Sequence, residues 1–551
     1  MDRTASQDPG QNSNSDLLRR LEELNEIGIS LSREKSLERL LESILVAAKK
    51  ITNADGGTLY RRHAADRDTL HFEILRTDSL GIAMGGTTGT QIPFAPVPLR
   101  DANGRENTTM VAAYSVLKDC TVAVADAYEE KGFDFSGTKA FDSRTGYRSK
   151  SFLTVPMKDH EGEIIGVLQL INAKDRATGE IIPFTETDER LAESLASQAA
   201  VALTNRLLIL QLESLFESFI KLLNQAIDEK SAYTGGHCHR VPILTMLLAE
   251  AVNQTESGPL AGWKMTDPDR YELQIAALLH DCGKVTTPVH VVDKATKLQT
   301  IFDRIELIET RFEVIKRDAE IELLRAKAGA TDADQVRLEA GHRTFLRGLE
   351  EERWFLRYCN VGSEAMKPGD RERVLAIAGK YRWKNWRGEE IGFLTADEIE
   401  NLTIPFGTLT TAERRVINHH VEVSIKMLEA LPWPRHLKNV PEFAGGHHER
   451  MDGKGYPRGL TRDEMSVQAR IMGIADIFEA LTAKDRPYKA GKTLTESLHI
   501  LGLMKLNGHV DPDLFDIFIR ERIYLRYAGQ FMDPKQVDEV DVTKIPGYPG
   551  D

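Results

Sequence analysis

The chain has 551 residues, of which 41% are hydrophobic and 28% are charged. This length is too great for one ordinary hydrophobic core, so we predict two or three domains. The formal net charge of −13 argues against a protein that binds nucleic-acid polymers, because such proteins carry a concentrated basic face.

The first 35 residues divide into two predicted parts. Residues 1–15 are rich in Ser, Asn, Gln and Asp and bury too little apolar surface to offset the entropy lost on ordering, so we predict a flexible tail. Residues 16–35 carry apolar side chains at three- and four-residue spacing, which predicts an amphipathic helix. The stripe is equally consistent with packing against its own domain and with dimerisation. Its members are Leu17, Leu18, Leu21, Leu24, Ile27 and Leu31.

Residues 36–205 mix a helical segment at 40–51 with strand-like runs, which predicts an α+β domain. The runs lie at 58–60, 69–75, 152–156 and 164–171. A helix without Pro or Gly is then predicted from about residue 187 to 230, with 206–221 as the part that links two domains.

The remaining residues, 222–530, are predicted to form an all-α catalytic domain. Within it, residues 299–405 form a charged, helix-forming stretch that we interpret as an inserted helical hairpin or protruding bundle. Its two helices are expected at 301–328 and 335–358, with a break at Gly329-Ala330-Thr331. The function of this insertion cannot be inferred from its residues.

Residues of the type that binds metal ions recur at distant points of the catalytic part. His280-Asp281 follows an apolar helical run, and His447-His448 precedes a glycine-rich turn. Asp476 interrupts another apolar helix, where a carboxylate is costly unless it is paired or bound to metal. Imidazole and carboxylate suit iron, manganese or zinc, and an Asp beside a His can bridge two ions. Together these residues predict a metal-dependent phosphodiester hydrolase.

Lys284 follows His280 by four residues and would face the same side of a continued helix. It is therefore a candidate to bind a phosphate or to protonate the leaving alkoxide, as a catalytic residue beside Asp281.

In order and spacing these motifs resemble those of the HD-GYP family of cyclic di-GMP phosphodiesterases. The matching residues are His280-Asp281-x-Gly283-Lys284, His420, His447-His448-Glu449-x-x-Asp452-Gly453-x-Gly455-Tyr456-Pro457, and Asp476 followed by Asp485-Arg486-Pro487-Tyr488-Lys489. The resemblance implies an all-α HD-type metal-dependent phosphohydrolase that opens cyclic di-GMP to pGpG or GMP.

The resemblance also implies roles for individual residues. Two or three divalent ions, iron or manganese, would be held by His237, His280, Asp281, His420, His447, His448 and Asp476. Arg486 and Lys489 would contact phosphate, since guanidinium binds phosphate oxygens in pairs and Lys acts as a point charge. Tyr456 would border the substrate or a partner protein, although its glycine-rich surroundings favour a role in shaping the loop.

Two departures from the family pattern bear on this site. Tyr233 stands where members with a third metal carry a Glu, which favours two ions over three. The family's Lys-Pro-Gly-Lys-Leu-Thr run is split into Lys294-Ala295-Thr296-Lys297-Leu298 before the insertion and Gly407-Thr408-Leu409-Thr410 after it. Access to the pocket is therefore expected to differ.

The N-terminal half resembles the GAF domains of cyclic-nucleotide phosphodiesterases and cyclases. The resemblance rests on residues 141–157 and on Asn172-Ala173-Lys174-Asp175, Phe184 and Asp188-Glu189. It implies an antiparallel sheet with flanking helices that senses a small molecule such as a cyclic nucleotide, or else serves in dimerisation. Lys174 and Asp188 would stabilise a lid over the ligand or form structural salt bridges.

Cellular context is indicated by what the sequence lacks. The four cysteines form no CxxC pair, which argues against a disulfide framework or a cysteine zinc site and favours a reducing cytoplasm. No apolar leader and no run of about 20 apolar residues is apparent, so we expect a cytoplasmic protein without a membrane span.

The sequence thus predicts a dimeric signalling enzyme in which a GAF domain regulates cyclic di-GMP hydrolysis. Two alternatives stay open. The substrate could be another cyclic dinucleotide, such as cyclic GMP-AMP, or a different phosphoester. The chain could instead be a catalytically silent scaffold that recruits a diguanylate cyclase through its Tyr456 loop.

Overall fold

The computed structural model describes residues 9–63, 65–231, 236–362, 365–484 and 491–548. The chain divides into two compact units, Met1–Phe216 and Glu217–Asp551, and the division falls within the segment predicted to link the domains.

The first unit begins with helices α1 (Pro9–Arg33) and α2 (Leu37–Thr52). Within the described residues, helix α1 includes residues 9–15, so the described part of the predicted tail is helical. Residues 1–8 lie outside the described part of the chain.

The sheet of this unit is antiparallel and contains the predicted strand runs. Its strands are β1 (Ala54–His63), β2 (Asp66–Thr77), β3 (Ile82–Gly85), β4 (Val97–Pro98), β5 (Val122–Val124), β6 (Phe152–Lys158), β7 (Ile164–Lys174) and β8 (Ile181–Ile182). Their order is β3-β2-β1-β7-β6-β5, with β4 beside β2 and β8 beside β7. Helices α3 (Val111–Lys118) and α4 (Ser136–Thr145) lie in the connections. The α+β prediction is confirmed.

Helix α5 (Glu186–Lys230) is 45 residues long, as predicted for the linking helix. Its N-terminal part joins α1 and α2 in one buried core against the sheet, which includes Leu31, Ile44, Leu168 and Leu195. By length and composition, α5 is long and apolar enough to cross a membrane, and it is the one such helix among the described residues. From the sequence we had expected no segment of this kind.

Residues of the GAF-like signature hold this unit together. Asn172, in a left-handed conformation, accepts a hydrogen bond from the Lys150 backbone N–H at 2.7 Å and donates to the Tyr147 hydroxyl at 2.8 Å. Lys174 pairs with the buried Asp55, and Asp188 pairs with the buried Arg20. Lys174 and Asp188 therefore form structural salt bridges.

We predict that Asp188→Asn destabilises the first unit by about 2 kcal/mol, because it removes the charge from a buried, hydrogen-bonded pair. Arg20 would keep its hydrogen bonds to the Ile51 carbonyl and would have a neutral amide oxygen in place of the carboxylate. Urea unfolding monitored by circular dichroism measures the change. Glu186→Gln is the matched control, because Glu186 is exposed and pairs with Arg190 on the helix surface. Equal stability of the two variants would contradict the assignment.

The second unit is built from helices. In chain order they are α6 (His237–Gln254), α7 (Asp267–Leu279), α8 (Val289–Val292), α9 (Ile305–Lys327), α10 (Asp332–Asn360), α11 (Asp370–Lys380), α12 (Ala396–Leu402), α13 (Thr411–Glu429), α14 (Val440–Gly445), α15 (Val467–Thr482), α16 (Leu494–Leu506), α17 (Pro512–Arg520) and α18 (Ile523–Phe531). One short hairpin, β9 (Arg382–Lys384) with β10 (Glu390–Gly392), interrupts them. The all-α prediction is confirmed apart from this hairpin.

The inserted segment has its own hydrophobic core. Helices α9 and α10 form the predicted hairpin, and α11, α12 and the β9–β10 hairpin complete it. Phe312, Leu356, Ile377 and Phe393 are among the side chains buried inside. The sequence did not predict the β hairpin, because its strands are only three residues long and largely exposed.

The ends of the insertion meet at its base. The Lys294 ammonium donates to both oxygens of Glu413 at 2.8 and 2.7 Å, and the Thr408 hydroxyl donates to the Lys294 carbonyl at 2.9 Å. Lys297 donates to the Ile404 carbonyl at 2.8 Å. The two halves of the split sequence run are thus rejoined in space, and the insertion leaves the start of α13 in place.

Candidate metal centre

Three imidazoles are oriented by the same local contact with the backbone. The Nδ1 atoms of His280, His420 and His447 face the backbone carbonyl three residues earlier, at 2.7, 2.5 and 2.6 Å. Each histidine lies on a helix or directly after one, so its own helix supplies the carbonyl. A hydrogen bond from Nδ1–H leaves the Nε2 lone pair free, which is the usual arrangement of a histidine that binds a metal.

Asp281 lies between two groups of candidate ligands, one that includes His237 and His280 and one that includes His420. Its Oδ2 is 3.0 Å from His237 Nε2 and 3.2 Å from His280 Nε2, whereas its Oδ1 is 3.1 Å from His420 Nε2. Burial alone would raise the pKa of Asp281, but Lys284 and the surrounding imidazoles hold it well below its usual range. The ionised carboxylate therefore presents one oxygen to each group.

Asp476 comes from the middle of α15 and completes the first group. Its Oδ1 is 3.3 Å from His237 Nε2 and 3.9 Å from His280 Nε2. His237, His280, Asp281 and Asp476 place one ligand atom each within 4.8 Å of one another, and all four residues are buried. Side chains from α6, α15 and the segment after α7 thus meet at one point.

The second group consists of His420, His447 and His448, whose ligand atoms also lie within 4.8 Å of one another. Burial lowers the pKa of His447 well below its usual range and that of His448 to about 4. Both rings are therefore neutral near pH 7, which is the form that binds a metal ion.

The buried polar atoms of the site are better placed to bind a metal ion than to form hydrogen bonds with one another. Among the residues that the structure describes, several atoms here are buried without a hydrogen bond of acceptable geometry, a costly arrangement unless a cation binds them. They are Nε2 of His237, His280, His420 and His447, and Oδ1 of Asp281. The donor set of imidazoles and carboxylates is the one that iron, manganese and zinc share.

Glu479 was not predicted from the sequence. It contacts the ring nitrogen of His237 that does not face Asp281. Its Oε2 is 2.5 Å from His237 Nδ1, and its Oε1 is 2.7 Å from Arg240. Burial would raise its pKa, but His237 and Arg240 lower it to about 2. The signal that identified Asp476, a carboxylate within an apolar helix, also applies to Glu479 one turn later and would have found it.

The charge around His237 favours a cation. Burial lowers its pKa, but the carboxylates of Glu479, Asp281 and Asp476 together raise it well above the usual value. The same three carboxylates would stabilise a divalent ion in contact with Nε2.

We predict that Glu479→Gln weakens metal binding about 10- to 100-fold, because the second partner of a ligating histidine fixes its ring and raises its basicity. Metal titration of the purified protein, followed by calorimetry, measures the change. Glu250→Gln is the control, since Glu250 lies on α6 and also pairs with an arginine, Arg270 of α7. Unchanged affinity in the Glu479 variant would show that this carboxylate does not position His237.

Lys284 lies in a 3-10 turn, Cys282–Thr286, so α7 does not continue to this residue. Its ammonium nevertheless reaches Asp281 Oδ2 at 2.6 Å. Burial would lower its pKa, but Asp281 and Asp476 raise it above the usual value. Lys284 is therefore a cation beside the candidate ligands and can donate a proton but not accept one.

Tyr456 stacks on His448, with ring centroids 4.9 Å apart and planes inclined by 18°. Its loop is held by the buried Glu449, whose carboxylate accepts from the backbone N–H groups of Arg458 at 2.7 Å and Leu460 at 3.0 Å. A groove of about 570 Å³ opens beside Tyr456 and Pro457 and is also lined by Arg415, Asn418 and His419. The loop shapes one wall of this groove.

Some residues that were considered for the site cannot be placed, and three neighbouring histidines that were not predicted to be ligands lie outside the cluster. Arg486 and Lys489 lie outside the described residues, as does Tyr233. His419 is exposed and contacts Glu422 at 2.8 Å, and His239 and His290 belong to neither ligand group.

The family models that match this chain follow the same division into an N-terminal and a C-terminal unit as the structure. Residues 36–203 match the model of the GAF domain, and residues 234–378 and 389–514 each match a model described as an HD domain. The two HD matches together contain all seven candidate metal ligands.

Two curated relatives illustrate the similarity. The 3'3'-cGAMP-specific phosphodiesterase 3 of Vibrio cholerae is 39% identical over 109 residues, 20% of this chain and 23% of the relative. A cyclic di-GMP phosphodiesterase of Pseudomonas aeruginosa is 35% identical over 114 residues, 21% of this chain and 26% of the relative. The chain thus spans about a quarter of the length of these relatives.

Among solved structures, a GAF domain/HD domain protein from Geobacter sulfurreducens is 14% identical and has a TM-score of 0.23. The match covers 32% of this chain and 98% of that structure.

Proposed function

This chain joins a GAF domain to an HD domain, and on that premise we propose that it is a metal-dependent phosphodiesterase that hydrolyses cyclic di-GMP to pGpG or GMP. The observation that carries the proposal is the position of Asp281, whose two oxygens face His237 and His420 at 3.0 and 3.1 Å. A carboxylate shared by two groups of ligands could hold two ions close together, and a closely spaced pair of ions is what two-metal hydrolysis of a phosphodiester uses.

His237, His280, Asp281 and Asp476 would hold one ion, and His420, His447 and His448 with Asp281 would hold the other. Two ions, iron or manganese, account for all seven ligands. When bound, such ions lower the pKa of water and stabilise charge on phosphoryl oxygens.

Side chains of the protein itself would bind the substrate and donate a proton. Protonated Lys284 would neutralise a phosphoryl oxygen and donate a proton to the leaving alkoxide. The groove beside Tyr456 would hold part of the dinucleotide, with Arg415 available to a phosphate or a base edge. Arg486 and Lys489 are proposed phosphate contacts on sequence grounds alone.

A second candidate substrate is 3'3'-cyclic GMP-AMP. It is favoured by the relatives whose names specify that nucleotide, at 39% and 44% identity over 109 and 81 residues. The metal ligands act on the phosphodiester bond, so they do not distinguish the two substrates.

The test is turnover of an equimolar mixture of the two dinucleotides by protein reconstituted with Fe(II) or Mn(II). We expect linear products, chiefly from cyclic di-GMP, and loss of turnover after chelation. Preferential loss of cyclic GMP-AMP would assign the second substrate. An intact mixture in the presence of bound metal would contradict both and favour a silent scaffold.

Regulation and partners complete the proposal. The GAF domain would bind a small-molecule effector such as a cyclic nucleotide, and the enzyme would act in the cytoplasm as a homodimer. A diguanylate cyclase is a candidate partner at the Tyr456 loop.

A further inference from the structure

The C-terminal end of α5 donates hydrogen bonds to the backbone before and after His280-Asp281 in the sequence. Before this pair, the Asn224 side-chain amide donates to the Leu278 carbonyl at 2.8 Å. After it, the Lys230 ammonium donates to the carbonyls of residues 284 and 285, to the first of them at 3.2 Å. All of these residues belong to the second unit, so the contacts lie within one compact body.

A third contact from the same end of α5 reaches the residue before His237. The Asp228 carboxylate accepts from the Gly236 backbone N–H at 3.3 Å. Gly236 has a φ of 76° and is the N-cap of α6, so its conformation sets the start of the helix that carries His237. The end of α5 thus contacts the backbone beside His237 as well as beside His280-Asp281.

The face of α5 that makes these contacts is packed. Ile220, Asn224 and Ile227 have exposed fractions of 2%, 7% and 2%. Ser231, directly after the helix, is also buried and donates to the Asp293 carboxylate. The four residues of α5 and its end recur at spacings of four and three, which places them on one side of the helix. Because that side is fixed by packing, its polar side chains can hold the neighbouring backbone in place.

The Asn224 bond supplies a donor that α7 itself lacks. Leu278 lies in the last turn of α7, which ends at Leu279, and carbonyls in a last turn have no N–H partner within the helix. The Lys230 bonds are charge-assisted, and such bonds are about twice as strong as neutral ones. Both side chains therefore restrain the backbone that flanks His280-Asp281.

The turn that carries Lys284 is held by two helices. On α13, Ser424 Oγ accepts from the Gly283 N–H at 2.8 Å. On α5, Lys230 donates to two carbonyls of the same turn. The Lys284 ammonium lies 2.6 Å from Asp281 Oδ2. A displacement of the turn would therefore move this ammonium relative to the candidate ligands.

From these contacts we propose that Lys230 and Asn224 are positioning residues, which hold residues 278–285 so that Lys284 can donate its proton to the leaving alkoxide. The inference rests on the proposed function, in which Lys284 has that role. Proton transfer requires donor and acceptor within hydrogen-bond distance, and a displacement of about 1 Å can cost about 100-fold in rate. Loss of the Lys230 bonds should therefore slow the chemistry without removing any candidate ligand.

The first test measures the mobility of this segment and does not depend on activity. Lys230→Met keeps the length of the side chain and removes its charge. Hydrogen exchange of the full chain, followed by mass spectrometry, should show the amides of 280–287 exchanging about tenfold faster, as expected for the loss of a charge-assisted hydrogen bond. Asn224→Leu should act in the same way. Lys221→Met is the control, because Lys221 is exposed on the same helix. Lys230→Arg, which keeps the charge, should restore slow exchange.

The second test compares two leaving groups in turnover by the metal-loaded protein. Lys230→Met should lower kcat for the cyclic dinucleotide about 10- to 100-fold, because a displaced Lys284 donates its proton less effectively. Hydrolysis of bis(p-nitrophenyl) phosphate should stay within about twofold of the wild-type rate, since nitrophenolate leaves without a proton from a general acid. Metal content should be unchanged, and Lys230→Arg should recover most of kcat for the dinucleotide.

A purely structural role would give a different pattern, in which both phosphodiesters are slowed equally or metal is lost. That pattern, or unchanged exchange at 280–287 in both Lys230→Met and Asn224→Leu, would overturn the proposal. If the wild type hydrolyses neither dinucleotide, the proposed function fails separately. The exchange measurement then still decides whether α5 positions this segment, with faster exchange supporting the assignment and unchanged exchange overturning it.

Discussion

Asp281→Asn is expected to reduce cyclic dinucleotide turnover by about a thousandfold or more. Asn keeps the shape of the side chain but loses the negative charge, and its amide nitrogen cannot ligate a cation. One of the two oxygens that face His237 and His420 is thereby lost. A loss of several kcal/mol in stabilisation of the transition state corresponds to this fold-change, because each 1.36 kcal/mol is about tenfold in rate.

The measurement combines turnover with metal content, determined by mass spectrometry of the purified protein. Asp267→Asn is the matched control, since Asp267 lies at the start of α7 and its side chain is exposed. We expect the Asp281 variant to hold less metal and the control to match the wild type. Wild-type turnover by Asp281→Asn would exclude the bridging role.

Gly283→Ala is expected to destabilise the second unit by about 3 kcal/mol or more and to abolish turnover. A Cβ at this position would lie 2.0 Å from the His420 carbonyl oxygen and 2.6 Å from the Ser424 backbone nitrogen. Neither backbone atom can move without shifting α13, so the cost is at the high end for overpacking. The shift would also separate His420 from Asp281.

Thermal unfolding and metal content together test this prediction. Gly262→Ala is the control, because a Cβ there meets no atom within 4 Å and its φ is not in the left-handed region. Should the Gly283 variant melt at the wild-type temperature with full metal content, the close approach of the 3-10 turn to α13 would not be needed to build the site.

These two positions illustrate different kinds of information in the sequence. Asp281 was predicted from residue type, because a His-Asp doublet after an apolar helical run indicates metal chemistry. Gly283 was only part of a motif, and its reason is visible in the tertiary structure, where it allows the Cys282–Thr286 turn to contact α13 and its amide to donate to Ser424 Oγ at 2.8 Å.

In the insertion, too, the sequence predicted some features and only the tertiary structure revealed others. Helical periodicity predicted its two long helices and the break between them, because side-chain pattern along one helix is a local property. The pairing of Lys294 with Glu413 joins residues that are 119 positions apart, so no local pattern could reveal it.

The sequence alone determined the fold classes, the long helix α5 and the types of residue that could bind metal, since periodicity, helix-breaking residues and ligand chemistry are local. Tertiary structure alone decided that Asp281 faces both histidine groups, that Glu479 supports His237, and that Lys174 and Asp188 serve as structural salt bridges. These contacts depend on how distant segments pack, and packing distances are set by the whole core and not by the spacing of residues along the chain.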